Sequence, residues 1–283
     1  MSLTVFIAVL GAAILHAGWN ALVKSGQDKL MSMAAIVIGH LPFGMMVLLF
    51  VPLPSLQSLP YLIASIFLHA GYQLFLLNSY KVGDLTQVYP IARGSAPLIV
   101  TLFSFVVLGL HLGVLQLLSV ILIVVGIISL GLARNELGNK NYVATRLALT
   151  TGLFIASYSI VDGLGARVAE SSWGFYSCLT IGNAIFAIMF LVISSPKTFI
   201  SLYYNGMLTF IVGGGASFLC YGVVTWAFTQ APIALVTALR ETSIVFALLI
   251  GVIFLRERLN LVKVFSTFLT LSGTILLRFA KGG

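Results

Sequence analysis

The chain has 283 residues, 60% of them hydrophobic and only 8% charged, with a mean hydropathy of +1.11. That leaves too little polar surface to cover a water-soluble fold of this size, so the composition predicts an all-α integral membrane protein. The formal charge of +8 does not point to nucleic acid, because the basic residues stand singly at the ends of apolar runs and form no stripe.

A membrane-crossing helix needs about 20 mostly apolar residues. Ten segments meet that length, and chain order takes them in turn. Segment 3–23 has no basic leader and is long enough to span, so it is read as a helix rather than a signal peptide. His16, Trp19, Asn20 and Val23 fall on one face of it. Segment 31–51 holds His40, which has no polar companions at helical spacing and is read as structural. A proline-rich turn from Pro52 to Pro60 leads to segment 60–80, where His69, Tyr72, Gln73 and Tyr80 share a face. Polar-aromatic faces turn inward in lipid, since nothing there satisfies their donors, so these two predict a lined cavity.

Segment 85–109 carries Tyr89, Arg93 and two prolines, Pro90 and Pro97. Proline frees backbone carbonyls and bends a spanning helix, so Pro90 and Pro97 are candidate gating positions. Segment 112–132 is followed by the longest polar stretch, Arg134–Lys140. Segment 146–164 holds Tyr158 and, near its end, Asp162. Segments 173–193 and 206–229 follow, separated by a loop at Ser194–Lys197, and the second contains Gly213-Gly214-Gly215. Segment 233–255 contains Arg240 and Glu241, and 260–280 closes the set. Connections this short predict that sequential helices are antiparallel neighbours.

The order of features repeats. At an offset of 147, Arg93 falls on Arg240, Leu108 on Leu255, Leu112 on Leu259 and Gly126 on Gly273. Five helices per half is odd, so the second half enters the membrane in the opposite sense. The reading is two inverted five-helix repeats, residues 1–137 and 138–283, the architecture of many secondary transporters with a site near the midplane.

Several motifs resemble the EamA-type transporters of the drug/metabolite transporter superfamily, over essentially the whole chain. They are His16-Ala17-Gly18-Trp19-Asn20, Tyr89-Pro90-Ile91-Ala92-Arg93 with Pro97, Tyr158-Ser159-Ile160-Val161-Asp162-Gly163, and Phe254-Leu255-Arg256-Glu257-Arg258-Leu259. The last resembles the family's Leu-Gly-Glu-Arg turn, with Arg256 where glycine is commoner. The matching turn of the first half, Leu108-Gly109-Leu110-His111-Leu112, lacks the acidic residue. The resemblance implies a carrier with cytoplasmic termini. The charge count points the other way: loops after odd-numbered helices carry ten Lys or Arg against three opposite, which puts both termini outside. Orientation stays open between the two.

Four charged residues sit inside predicted spans: Arg93, Arg240, Glu241 and Asp162. Each arginine lies about 10–12 Å in from its helix start, too deep to snorkel easily. Arginine stays protonated and offers a planar fork to carboxylate or phosphonate, so the pair is read as anion clamps or, alternatively, as bundle ion pairs. Glu241 follows Arg240 directly. On a continuous helix the two point about 100° apart and do not face each other. Glu241 and Asp162 are the candidates for proton coupling or for binding a substrate amine. Substrate-binding candidates are Arg93, Arg240, His16, Trp19, Asn20, His69, Tyr72, Gln73, Tyr89 and Tyr158.

Cys178 and Cys220 lie in apolar runs with no metal spacing. The histidines form no metal-ligand pattern, and Gly213–Gly215 lacks the lysine of a phosphate loop. No metal, cofactor or catalytic role is expected. The predicted function is secondary-active transport of a small polar metabolite (amino acid, aminophosphonate or organic acid) across the inner (plasma) membrane, with protons as candidate coupling ions. Expected partners are the small-molecule substrate and lipid, in a monomer or homodimer. The alternatives are an exporter of cationic or amphipathic compounds and an intramembrane lipid-modifying enzyme.

Overall fold

A computed structural model describes residues 1–25, 28–82, 85–109, 112–132, 142–253 and 261–280, with the side chains of Ala21–Ser25, Lys29, 85–87, Tyr89, Pro90, Leu130–Leu132, Gly251, Val252 and Lys263 outside that description. The polar stretch Arg134–Lys140, the boundary between the two expected repeats and the Phe254–Leu259 turn with Arg256, Glu257 and Arg258 also lie outside the described residues.

Every regular element among the described residues is helical. In chain order they are α1 (Leu3–Ser25), α2 (Lys29–Leu48), α3 (Leu59–Val82), α4 (Leu85–Val106), α5 (Val114–Leu132), α6 (Tyr142–Val168), α7 (Ser172–Ser194), α8 (Pro196–Asn205), α9 (Gly214–Gln230), α10 (Ile233–Arg240), α11 (Ser243–Ile253) and α12 (Leu261–Phe279). A 3-10 turn at Leu56–Ser58 precedes α3 and a π turn at Thr209–Gly213 runs into α9. Seven stretches among the described residues are long and apolar enough to cross a membrane. The remaining expected segments appear as shorter apolar stretches, Ile91–Val106, Val114–Ser129 and Val264–Phe279. The chain is thus a multi-pass membrane protein, all-helical among the described residues.

Two boundaries differ from expectation. The loop expected at Ser194–Lys197 is instead the start of α8, with Pro196 in its first turn, where a fixed φ suits a helix and the missing N–H costs nothing. Its ten residues are too few to span, and Tyr203 and Tyr204 are exposed, so α8 is an amphipathic surface helix. The expected ninth segment is not one helix. It breaks after Arg240, and α11 begins at Ser243.

Sequential helices are not the main neighbours, against the expectation from loop length. α3 and α4 flank α6, α2 lies along α7, α5 along α12, and α1 against α9, α10 and α11. Lipid tails are as apolar as leucine, so helix pairing in a membrane follows close backbone approach at small residues. At the α5–α12 contact a Cβ on Gly126 would stand 2.8 Å from the Ser266 carbonyl oxygen, and one on Gly273 would stand 2.8 Å from that of Ser119. Ser129 and Ser266 hydrogen-bond across the same contact at 2.6 Å.

The proline-rich turn docks on the end of α6. The Ser55 hydroxyl donates to the Val168 carbonyl at 2.6 Å and the Ser55 N–H to that of Ala169. Arg167 reaches from α6 to cap the C-terminus of α9, donating to the carbonyls of Phe228 at 2.9 Å and Ala231 at 3.0 Å. These polar anchors hold the helix ends and leave the centre to a buried polar cluster.

Candidate functional site

The centre is assembled from facing helices. Four polar residues in a row, Arg240, Glu241, Thr242 and Ser243, are all essentially buried where α10 ends. The backbone there passes into a short turn: the Glu241 and Thr242 N–H groups bond to carbonyls three residues back, and those of Ile244 and Val245 to Glu241 and Thr242. Glu241 itself keeps right-handed helical dihedrals (φ −69°, ψ −11°) and its N–H also reaches the Thr237 carbonyl four residues back, so its backbone stays in register and it is the long side chain that reaches Arg240. The expectation that Glu241 and Arg240 do not face each other is therefore overturned. Arg240 Nη2 lies 3.1 Å from Glu241 Oε1, with Nε also donating to that oxygen at 3.3 Å. Arg93, from α4, approaches the other carboxylate oxygen, Nε to Oε2 2.6 Å. One carboxylate thus bridges the two arginines, which are 4% and 1% exposed.

A second carboxylate lies one ring away. Asp162 is fully buried and accepts from the Tyr221 hydroxyl at 2.6 Å, pairs with His69 Nε2 at 3.0 Å, and accepts from the Ser65 hydroxyl. α6 continues to Val168, so Asp162 is further inside the helix than the sequence suggested. A fully buried carboxylate needs such donors, and three side chains supply them. The Tyr221 ring also faces Arg240, whose Cζ is 5.5 Å from its centroid. The His69 ring stacks on Tyr158 at 4.1 Å.

Beside these groups lies a cavity of about 130 Å³. At ~30 Å³ of liquid volume per water it holds roughly four waters. Arg93 and Arg240 both stand on its wall, together with His16, Trp19, His69, Tyr72, Gln73 and Tyr158, all predicted from sequence. Glu241 and Asp162 are behind the wall, covered by the groups they pair with.

Other candidates fall elsewhere. Asn20 is not on the wall; its side-chain amide donates back to the His16 carbonyl at 2.8 Å, satisfying itself within α1. The side chains of Tyr89 and Pro90 lie outside the described residues. Pro97 is buried in α4, which runs unbroken past both prolines, and its carbonyl accepts from the Thr101 hydroxyl at 2.7 Å. The discontinuity expected at the prolines occurs instead at Glu241–Thr242.

His40, read from sequence as structural, lines the cavity. So do Tyr176, Thr180 and Asn183 of α7 and Ser217, Cys220 and Tyr221 of α9, which the sequence reading passed over. The signal was present: Tyr176, Thr180 and Asn183 are spaced i, i+4, i+7, and Ser217, Cys220 and Tyr221 i, i+3, i+4, the same one-face rule that found α1 and α3.

With that geometry in place, the chain compares with known proteins as follows. The model of the EamA-like transporter family matches residues 144–279, from α6 to the end of α12. No curated protein matches the chain. One crystal structure superposes with a TM-score of 0.73 over 96% of this chain and 94% of its own, at 16% identity, a likeness of fold.

Proposed function

We propose, from the match of residues 144–279 to the EamA-like transporter family, that the chain is a secondary-active carrier of a small anionic or zwitterionic metabolite. It works by alternating access in the inner (plasma) membrane, through ten spans arranged as two inverted repeats, residues 1–137 and 138–283. The helix contacts support the repeat because they survive exchange of the halves. α3 on α6 corresponds to α1 on α9, α4 on α6 to α1 on α10–α11, and α2 on α9 to α7 on α3. α2–α7 and α5–α12 map onto themselves. In the latter, Gly126 meets Ser266 and Thr270 while Gly273 meets Ser119 and Ile123, and each partner is offset by the same 147 residues. Such reciprocity is the mark of a two-fold contact.

The observation that carries the reading is that two guanidinium groups, from equivalent positions of the two halves, meet on one cavity wall and share Glu241. Arginine's fixed fork suits carboxylate or phosphonate. An incoming anion competes with Glu241 for that fork. Glu241, displaced from that fork, is the candidate site for a coupling proton. His16, Trp19, His69, Tyr72, Gln73 and Tyr158 shape the rest of the substrate site, and Pro90, Pro97 and the break after Arg240 serve as hinges for gating. A cationic-compound exporter has the aromatic walls in its favour, but its cargo faces two arginines here.

Uptake of radiolabelled organic acids and amino acids into proteoliposomes, with and without a pH gradient, tests this. Saturable uptake is expected in the parent chain, with a loss of at least about a hundredfold in Arg93→Ala and Arg240→Ala, whose folding is checked by gel filtration. Normal transport by both variants sinks the clamp.

A further inference from the structure

Several buried polar atoms on the cavity wall have no hydrogen-bond partner among the described residues: Trp19 Nε1, His40 Nε2 and the Tyr176 hydroxyl. Tyr176 is 1% exposed. An orphaned polar group inside a membrane protein is costly, and native structures keep few without a reason. Two of these three are close together. The Phe218 ring touches both, with centroids 6.1 Å from His40 and 5.0 Å from Tyr176. They sit on α2 and α7, whereas the arginines come from α4 and α10. Tyr221 stands between the ends, its ring 5.5 Å from Arg240 Cζ and 5.7 Å from the Tyr176 ring. The cavity therefore has two chemically distinct ends within one small volume.

The missing partner can be specified. Indole N–H is a donor only, so whatever satisfies Trp19 must accept a hydrogen bond. An ammonium group has three donors and no acceptor, so it cannot do this. No Asp or Glu lines the cavity among the described residues, because Glu241 is held by the arginines and Asp162 by Ser65, His69 and Tyr221. A substrate amine would meet guanidinium groups with no carboxylate to balance it.

We infer that His40 and Tyr176 form a second subsite, with the Trp19 N–H as a further donor on the same wall, that reads an uncharged hydrogen-bond acceptor, so that the cargo is a hydroxy or oxo acid rather than an amino acid or aminophosphonate. The acid group goes to Arg93 and Arg240, and the hydroxyl or carbonyl oxygen goes to the orphaned donors. This rests on the anion-carrier reading above and narrows its substrate class.

The test uses the full chain in proteoliposomes and two matched series: lactate, propionate and alanine; hydroxymethylphosphonate, methylphosphonate and aminomethylphosphonate. The quantity read is the ratio of kcat/KM for the hydroxy compound to that for the unsubstituted acid. It is expected to be about tenfold in the parent chain, the value of one added hydrogen bond, with the amino compounds poorest. Tyr176→Phe and His40→Leu should each pull the ratio toward one. A general loss of folding would lower both members equally and leave it unchanged. Tyr203→Phe, on exposed α8, should keep the parent ratio. The subsite is overturned if the ratio survives both substitutions, or if the amino compounds are preferred. If no acid shows saturable uptake at all, the anion carrier falls and the subsite with it.

Discussion

The two arginines sit on helices of opposite design. α4 carries two prolines and is unbroken; α10 and α11 have no proline within them, yet are separated just after Arg240. Proline therefore does not determine where this membrane protein interrupts a helix. The break coincides with four successive buried polar residues, of which Glu241 reaches both guanidinium groups. The Cβ atoms of Arg240 and Glu241 leave the backbone in different directions, and the two long side chains meet beyond it. The cost of an irregular turn is offset by neutralising two buried cations with one carboxylate. The two elements thus contribute differently: α4 gives only Arg93 to the cluster, while the α10–α11 junction gives Arg240 and the shared acid.

That contrast can be broken most severely at Glu241. Glu241→Gln leaves two buried guanidinium groups without a counter-charge. It should cost about 3–5 kcal/mol, read as a lowered thermal midpoint of the detergent-solubilised protein. A midpoint equal to the parent's would mean the bridge is not what holds α4 to the α10–α11 junction.

The two-fold relation itself is sharpened at the glycines of α5 and α12. Gly126→Ala and Gly273→Ala each place a methyl against the partner helix backbone, at the cost of about 1–3 kcal/mol. Because the contacts are reciprocal, the two losses should be similar. A large loss in one and none in the other argues against equivalence of the halves.

The smallest effect is expected at Pro97. α4 is already helical through it, so Pro97→Ala should change stability by less than about 1 kcal/mol, measured by the same melt. A larger change would return the proline to a structural part in α4.

Much of this was legible in the residues alone. Composition dictates lipid as the solvent, because 8% charged residues cannot hydrate a fold of this size. Apolar run length marked the spans, and the cost of a buried charge singled out Arg93, Arg240, Glu241 and Asp162 before any coordinates. The one-face rule located α1 and α3 on the cavity. Applied as strictly to α7 and α9, it would have found Tyr176 and Tyr221 as well. What stayed hidden depends on non-local contact. Nothing in its own neighbourhood indicates that His40 faces a cavity, because its companions come from other helices. Asn20 shares a face with His16 and Trp19, yet satisfies itself on its own backbone. Sequence periodicity follows the direction of Cβ and not the reach of long side chains, so it placed Glu241 away from Arg240. Only tertiary structure, by bringing Arg93 across from α4, gave that carboxylate a second guanidinium to bridge.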